Sequence, residues 1–87
     1  MSSYSLTLKS SAAKELNALS DELFGRIDPR IRALATVPRP AGCAKLSGYK
    51  DQWRIRVGDY RVIYTIDEAS RRVTVVRVAH RREVYAP

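Results

Sequence analysis

Two alternating runs near the middle of the chain, Trp53-Arg54-Ile55-Arg56-Val57 and Tyr60-Arg61-Val62-Ile63-Tyr64, are separated only by Gly58-Asp59. Apolar and polar residues in alternation have the period of a strand with one buried face. A Gly-Asp pair between two such runs predicts a β-hairpin closed by a type II′ turn with glycine first. A two-residue loop sets the register: Val57 faces Tyr60, Arg56 faces Arg61, Ile55 faces Val62, Arg54 faces Ile63 and Trp53 faces Tyr64. Directly opposed residues share a face. One face is therefore Trp53, Ile55, Val57, Tyr60, Val62 and Tyr64, and the other collects Arg54, Arg56 and Arg61. Like charges opposed across a ladder are destabilising, so three clustered guanidinium groups point to an anion among them. The alternative is an ordinary solvated sheet face whose charges discourage edge pairing.

The rest of the pattern supplies the layer that covers the apolar face. Tyr4, Leu6 and Leu8 alternate with Ser5 and Thr7, predicting a short strand. Ser10 or Ser11 is the expected N-cap of a helix whose stripe is Ala12, Leu16 and Leu19. Ser20 is the expected cap of a second helix, with Asp21 and Glu22 favouring the positive end of its dipole and Leu23, Ile27, Ile31 and Leu34 as its stripe. Pro29 removes a backbone donor there, at about 3 kcal/mol in a straight helix, which predicts a kink or a restart with Asp28 as cap. Val37 to Gly42, with Pro38 and Pro40, reads as a linker, Asp67 to Arg72 as a loop, and Val73 to Ala79 as the last strand. The expected fold class is α+β, a strand and helical hairpin followed by a three-strand antiparallel meander. The helices lie on one side and the arginine face is open to solvent.

The 87 residues suit a single domain, expected to span 1–87, with one modest core. A net charge of +7 is unevenly spread, +2 over residues 1–44 and +5 over residues 45–87, so the excess travels with the hairpin. Such a field attracts polyanions. With no apolar run near 18 residues and no signal-like leader, no membrane role is expected. Cys43 is the only cysteine, which excludes an internal disulfide and is compatible with a reducing cytoplasm. One histidine and one cysteine leave little capacity for a metal, and none is expected.

Lys45-Leu46-Ser47-Gly48, Trp53-Arg54-Ile55-Arg56, Gly58-Asp59-Tyr60-Arg61-Val62-Ile63-Tyr64 and His80-Arg81-Arg82-Glu83-Val84-Tyr85 together resemble the RelE/ParE toxin superfamily of type II toxin–antitoxin pairs. The close likeness covers about half the chain, and the amino-terminal elements agree in order and length. The resemblance implies a compact RelE-like fold. It also implies either ribosome-dependent cleavage of messenger RNA, as in the RelE branch, or inhibition of DNA gyrase, as in the ParE branch. A degenerate member that keeps only antitoxin binding is a third alternative.

By position, Arg54 and Arg56 match the two lysines of the RelE active site, Arg61 its phosphate-contacting arginine, Arg81 its transition-state arginine and Tyr85 its carboxy-terminal tyrosine. That full set favours the nuclease branch, a metal-independent and cofactor-free endoribonuclease. Lys45, Lys50, Arg77 and Arg82 are candidate RNA-backbone contacts. The implied partners are an acidic antitoxin, in an assembly that allows a toxin–antitoxin heterotetramer, and the ribosome with mRNA in its A site. The chain stops two residues after Tyr85, so the extra carboxy-terminal helix of some RelE relatives is not expected.

Arginine in place of the two lysines changes the chemistry. Guanidinium keeps its proton above about pH 12 and is a poor base, so the general base is unassigned. His80 is the best-tuned acid or base by residue type. Strand parity nevertheless turns it away from Arg77 and Arg81 unless the strand ends or bulges there.

Overall fold

The computed structural model describes residues 3–46 and 51–84. In chain order the elements are β1 (Ser5–Leu8), α1 (Ser10–Asn17), α2 (Asp21–Ala33), β2 (Ala44–Lys45), β3 (Gln52–Val57), β4 (Tyr60–Asp67), β5 (Arg72–His80) and α3 (Arg81–Val84). They build an α+β fold around one five-stranded sheet of order β1-β5-β4-β3-β2. The meander β3-β4-β5 is antiparallel, as the sequence predicts. β1 joins it parallel to β5, pairing Ser5 with Arg72 and Leu8 with Val75.

The hairpin register is the expected one at every pair from Trp53↔Tyr64 to Val57↔Tyr60. Gly58 has φ 61°, whereas Asp59 stays outside the positive region, which is the type II′ pattern. Gly58 is constrained twice, because a side chain there would also meet the Arg26 guanidinium of α2 at 3.4 Å. The apolar face of the hairpin is buried at Ile55, Val57, Val62 and Tyr64, with Trp53 and Tyr60 half-buried beside them. Val73, Val75 and Val78 of β5 extend that face, and Ala12 and Leu16 of α1 with Ile27, Ile31 and Leu34 of α2 and its cap cover it. Both helices thus lie on one side because each carries a single apolar stripe.

Four local features depart from the sequence expectation. α1 begins at Ser10 with Lys9 at its N-cap and no side-chain cap, because the Lys9 N–H is still bonded to the Val75 carbonyl at 2.9 Å. The chain therefore turns into the helix directly from the sheet. α2 runs through Pro29 without restarting: Ser20 caps it through the Leu23 N–H, and Asp28 binds Arg32 at 2.8 Å instead of capping. The carbonyl that Pro29 leaves without a donor belongs to the exposed Gly25, where solvent replaces it. β2 arises within the segment expected to lead from the linker to the hairpin, with Ala44 opposite Arg54 and Lys45 opposite Trp53. Finally, Ile63 pairs with Arg77 and Tyr64 with Val75, so Val76 is an extra residue in β5. That bulge lets Val75 and Val78 both face the helices, an odd spacing that strict alternation forbids.

Candidate anion-binding site

The face away from the helices is built by β3, β4 and β5. Arg56 stands directly opposite Arg61, Arg61 is paired in turn with Ala79, and Arg54 is opposite Ile63, which is paired with Arg77. Val57 and Tyr60 flank the turn as the hydrogen-bonded pair, so Arg56 and Arg61 form the closer kind, typically about 4.5 Å between Cα atoms. Two permanent cations are thus held side by side by the backbone alone.

The expectation of a uniformly solvated arginine face needs correction. Arg56 is exposed and Arg54 half-buried, but Arg61 is only 8% exposed, and Ile63 and Ala79 on the same face are 4% and 2% exposed. Arg61 and Ile63 lie on β4, which is paired with β3 on one side and β5 on the other, and Ala79 is the β5 partner of Arg61. The Arg61 guanidinium donates from Nη1 to the Tyr60 carbonyl at 3.3 Å, while its buried Nε has no hydrogen-bond partner. Among the described residues the ion pairs are Arg32–Asp28, Arg39–Glu68, Arg77–Glu15 and Arg81–Asp59, so no carboxylate serves Arg54, Arg56 or Arg61. A buried guanidinium with an orphan N–H carries a desolvation cost that an anion relieves.

The other sequence candidates are placed unequally. Arg81 sits one step past the Tyr60↔His80 pair, its N–H donating to the Asp59 carbonyl at 2.7 Å and its Nε 3.9 Å from the Asp59 carboxylate. It is exposed at the turn end of the arginine face. Arg77 shares the register of that face, yet Glu15 of α1 holds its guanidinium at 3.1 Å and accepts the Val78 N–H at 2.8 Å. Past the bulge β1 no longer covers β5, so this carboxylate takes the edge donor. Lys45 is exposed but opposite Trp53, on the helix-side face, and is not gathered with the arginines. Arg82 is exposed on α3. Lys50 and Tyr85 lie outside the described residues.

His80 is paired with Tyr60, on the face opposite Arg61, and its ring meets the Tyr60 ring edge-on at 5.6 Å. The strand parity argument therefore holds in spite of the bulge. Its Nδ1 accepts the Arg82 N–H at 3.2 Å.

Sequence reasoning did not single out Glu15, Asp59 as a partner of Arg81, or Arg26 beside the turn. Asp59 was legible only as a turn residue, and nothing in the pattern of α1 marks Glu15. Among the described residues no three His, Cys, Asp or Glu side chains gather as a metal site, and no helix is long and apolar enough to cross a membrane.

A second arginine group lies at the opposite end of the sheet. Arg39 stacks over Trp53, its Cζ 4.8 Å from the ring centroid, and binds Glu68 at 3.0 Å. Glu68 also accepts the Tyr4 hydroxyl, and Arg71 lies over the Tyr4 ring at 4.9 Å. The Tyr4 hydrogen bond, reinforced by Arg39, holds the Glu68 carboxyl below the usual carboxylate range. The Tyr64 hydroxyl donates to the Pro38 carbonyl at 2.6 Å and so fixes the linker that carries Arg39. Burial pushes that phenol above the ordinary tyrosine value. An open depression of about 580 Å³, lined by Asp51, Thr65, Ile66, Asp67 and Glu68, is acidic and unsuited to an anion.

Comparison with known proteins converges on one group. Residues 6–85 match the family described as ParE toxin of type II toxin-antitoxin system, parDE. Archaeal RelE from the RelE-RelB complex of Pyrococcus horikoshii OT3 is 26% identical, with a TM-score of 0.80, over 95% of this chain and 99% of that one. The isolated E. coli RelE toxin is 27% identical, with a TM-score of 0.78, over 94% of this chain and 90% of that one. E. coli RelE in the intact RelBE toxin-antitoxin complex is 25% identical, with a TM-score of 0.77, over 88% and 95%. No curated protein sequence matches the chain.

Proposed function

Because this chain belongs to the ParE toxin family and is a toxin of a type II toxin–antitoxin system of RelE/ParE type, we propose that its arginine face binds the phosphodiester of messenger RNA and promotes its cleavage on the ribosome. The observation that carries this reading is Arg61: a buried guanidinium with an unpartnered Nε, directly opposite Arg56, with no carboxylate near either among the described residues. Planar, permanently charged forks match phosphate oxygens and stabilise charge that develops on them.

In the reaction the ribose 2′-hydroxyl gives up its proton to solvent as its oxygen attacks the adjacent phosphorus, the bond from phosphorus to the 5′-oxygen breaks, and that oxygen takes a proton from solvent, leaving a 2′,3′-cyclic phosphate and a 5′-hydroxyl end. Arg56 and Arg61 hold the non-bridging oxygens. Arg81, exposed at the rim, neutralises the leaving oxygen, and Arg54 supports the backbone. Tyr85 keeps the role that the resemblance implies, stacking on a base or giving a proton. None of the four arginines is a competent base at neutral pH, so cleavage draws mainly on phosphate stabilisation and in-line positioning by the ribosome.

The partner is an acidic antitoxin that neutralises this face, in line with the toxin–antitoxin complexes among the structural neighbours. Primer extension on mRNA in a translating extract tests the reading: codon-phased cuts support it. The match to the ParE family favours a second reading, inhibition of DNA gyrase without nuclease chemistry. Intact mRNA together with arrested supercoiling selects that alternative.

A further inference from the structure

We propose that His80 is a positioning residue, the N-terminal cap of α3 that orients Arg81 and Arg82, and not the proton carrier its residue type suggests. A helix start leaves its first N–H groups without intrahelical partners. Here both of the first two are satisfied: the Arg81 N–H by the Asp59 carbonyl at 2.7 Å, and the Arg82 N–H by His80 Nδ1 at 3.2 Å. An imidazole nitrogen that accepts carries no proton, so the acceptor role fixes the tautomer with hydrogen on Nε2. The ring is packed edge-on against Tyr60, on the face opposite Arg61. Its remaining nitrogen therefore belongs to the helix side of the sheet, away from a phosphate held by Arg56 and Arg61.

The cap requires the neutral ring, because imidazolium has no acceptor. A cation there also opposes the positive end of the short helix. The ionisable groups on the elements that meet at this point are Tyr60 on β4, Asp59 in the turn, Arg26 of α2 against Gly58, Glu15 of α1 on the Val78 N–H, and Arg81, Arg82 and Glu83 of α3. Three cations and three carboxylates meet there, and a ring protonated on both nitrogens would release the Arg82 N–H and loosen the segment that presents Arg81.

The test uses the full chain with His80→Asn, whose side chain can also accept at the cap, and His80→Ala, which cannot cap. Nitrogen chemical shifts of the wild-type imidazole report the tautomer, and exchange of the Arg82 amide reports the cap. The expected result is hydrogen on Nε2 and an Arg82 amide about fivefold better protected in the wild type than in H80A, the size of one cap. In H80N protection stays close to the wild-type level. In the cleavage assay H80N stays close to wild type, while H80A falls by a similar factor.

A proton on Nδ1, or an unprotected Arg82 amide in the wild type, overturns the inference. So does H80N that keeps the amide protected yet cuts no mRNA, since that assigns His80 to proton transfer. The inference rests on the nuclease reading only in the cleavage arm. If the wild type leaves mRNA intact, that reading fails, while the tautomer and exchange measurements still decide the cap.

Discussion

The two arginine groups at opposite ends of the sheet use one residue type in contrary ways. Arg39 and Arg71 are matched within the fold: one lies over Trp53 and against Glu68, the other over Tyr4. Arg56 and Arg61 face each other with no carboxylate among the described residues, and Arg61 is the more deeply buried. The first group ties the linker and the β4–β5 turn to the sheet. The second is an electrostatic debt left open, and a site for a foreign anion is the simplest reason for a fold to keep it. Net charge cannot separate the two uses, because both contribute equally to the excess of +7.

Breaking the unmatched group should have the largest effect. Arg61→Met keeps the stem and removes the charge. Cleavage in the translating extract should fall about 100-fold, the cost of losing one donor that stabilises charge in the transition state. Thermal unfolding should shift upward or not at all, since an uncompensated buried cation is gone. Loss of stability together with unchanged cleavage would reverse the assignment of the two groups.

Tyr64→Phe probes the matched end with a smaller change. Losing the bond to the Pro38 carbonyl should lower stability by about 1 kcal/mol in urea denaturation and leave cleavage intact. Arg39→Ala should cost less, at most about 1 kcal/mol, because its ion pair and ring contact are exposed; cleavage again should not respond.

The smallest effect is expected at Glu68. Its folded carboxyl titrates below the ordinary value, so the ionised form is the one the fold prefers. That contribution is complete above the unfolded carboxylate range and disappears as pH falls through the folded value. Glu68→Gln should therefore flatten the acid limb of a melting-temperature profile between about pH 3 and 6 without altering the neutral plateau by more than a degree or two.

Much of this arrangement was legible because period-2 patterning and a two-residue turn jointly specify a register, and every pair from Trp53 to Val57 follows from them. The helical stripes were legible for the same reason, since Ala12, Leu16, Ile27, Ile31 and Leu34 recur at helical spacing and are all buried. What escaped the pattern is non-local. Val75-Val76 reads as continuous strand, and only the pairing with Ile63 and Tyr64 exposes the extra residue. The two-residue β2 is shorter than any periodicity can register, and β1 gives no sign that its partner is β5. At the site, sequence placed Arg54, Arg56 and Arg61 on one face correctly, whereas the burial of Arg61 depends on β4 being central. The diversion of Arg77 depends on Glu15, a contact between distant segments.

The parallel seam between β1 and β5 has a temporal consequence. Residues 5–8 are synthesised early, but among the described residues their strand neighbours are residues 72–75, so the seam cannot close until nearly all of the described chain has been made. The edge that Ser5 to Leu8 protect stays open until then, and the hairpin bearing Arg56 and Arg61 is translated before its scaffold is complete. A nascent toxin therefore lacks its complete sheet until residues 72–75 have followed the hairpin out.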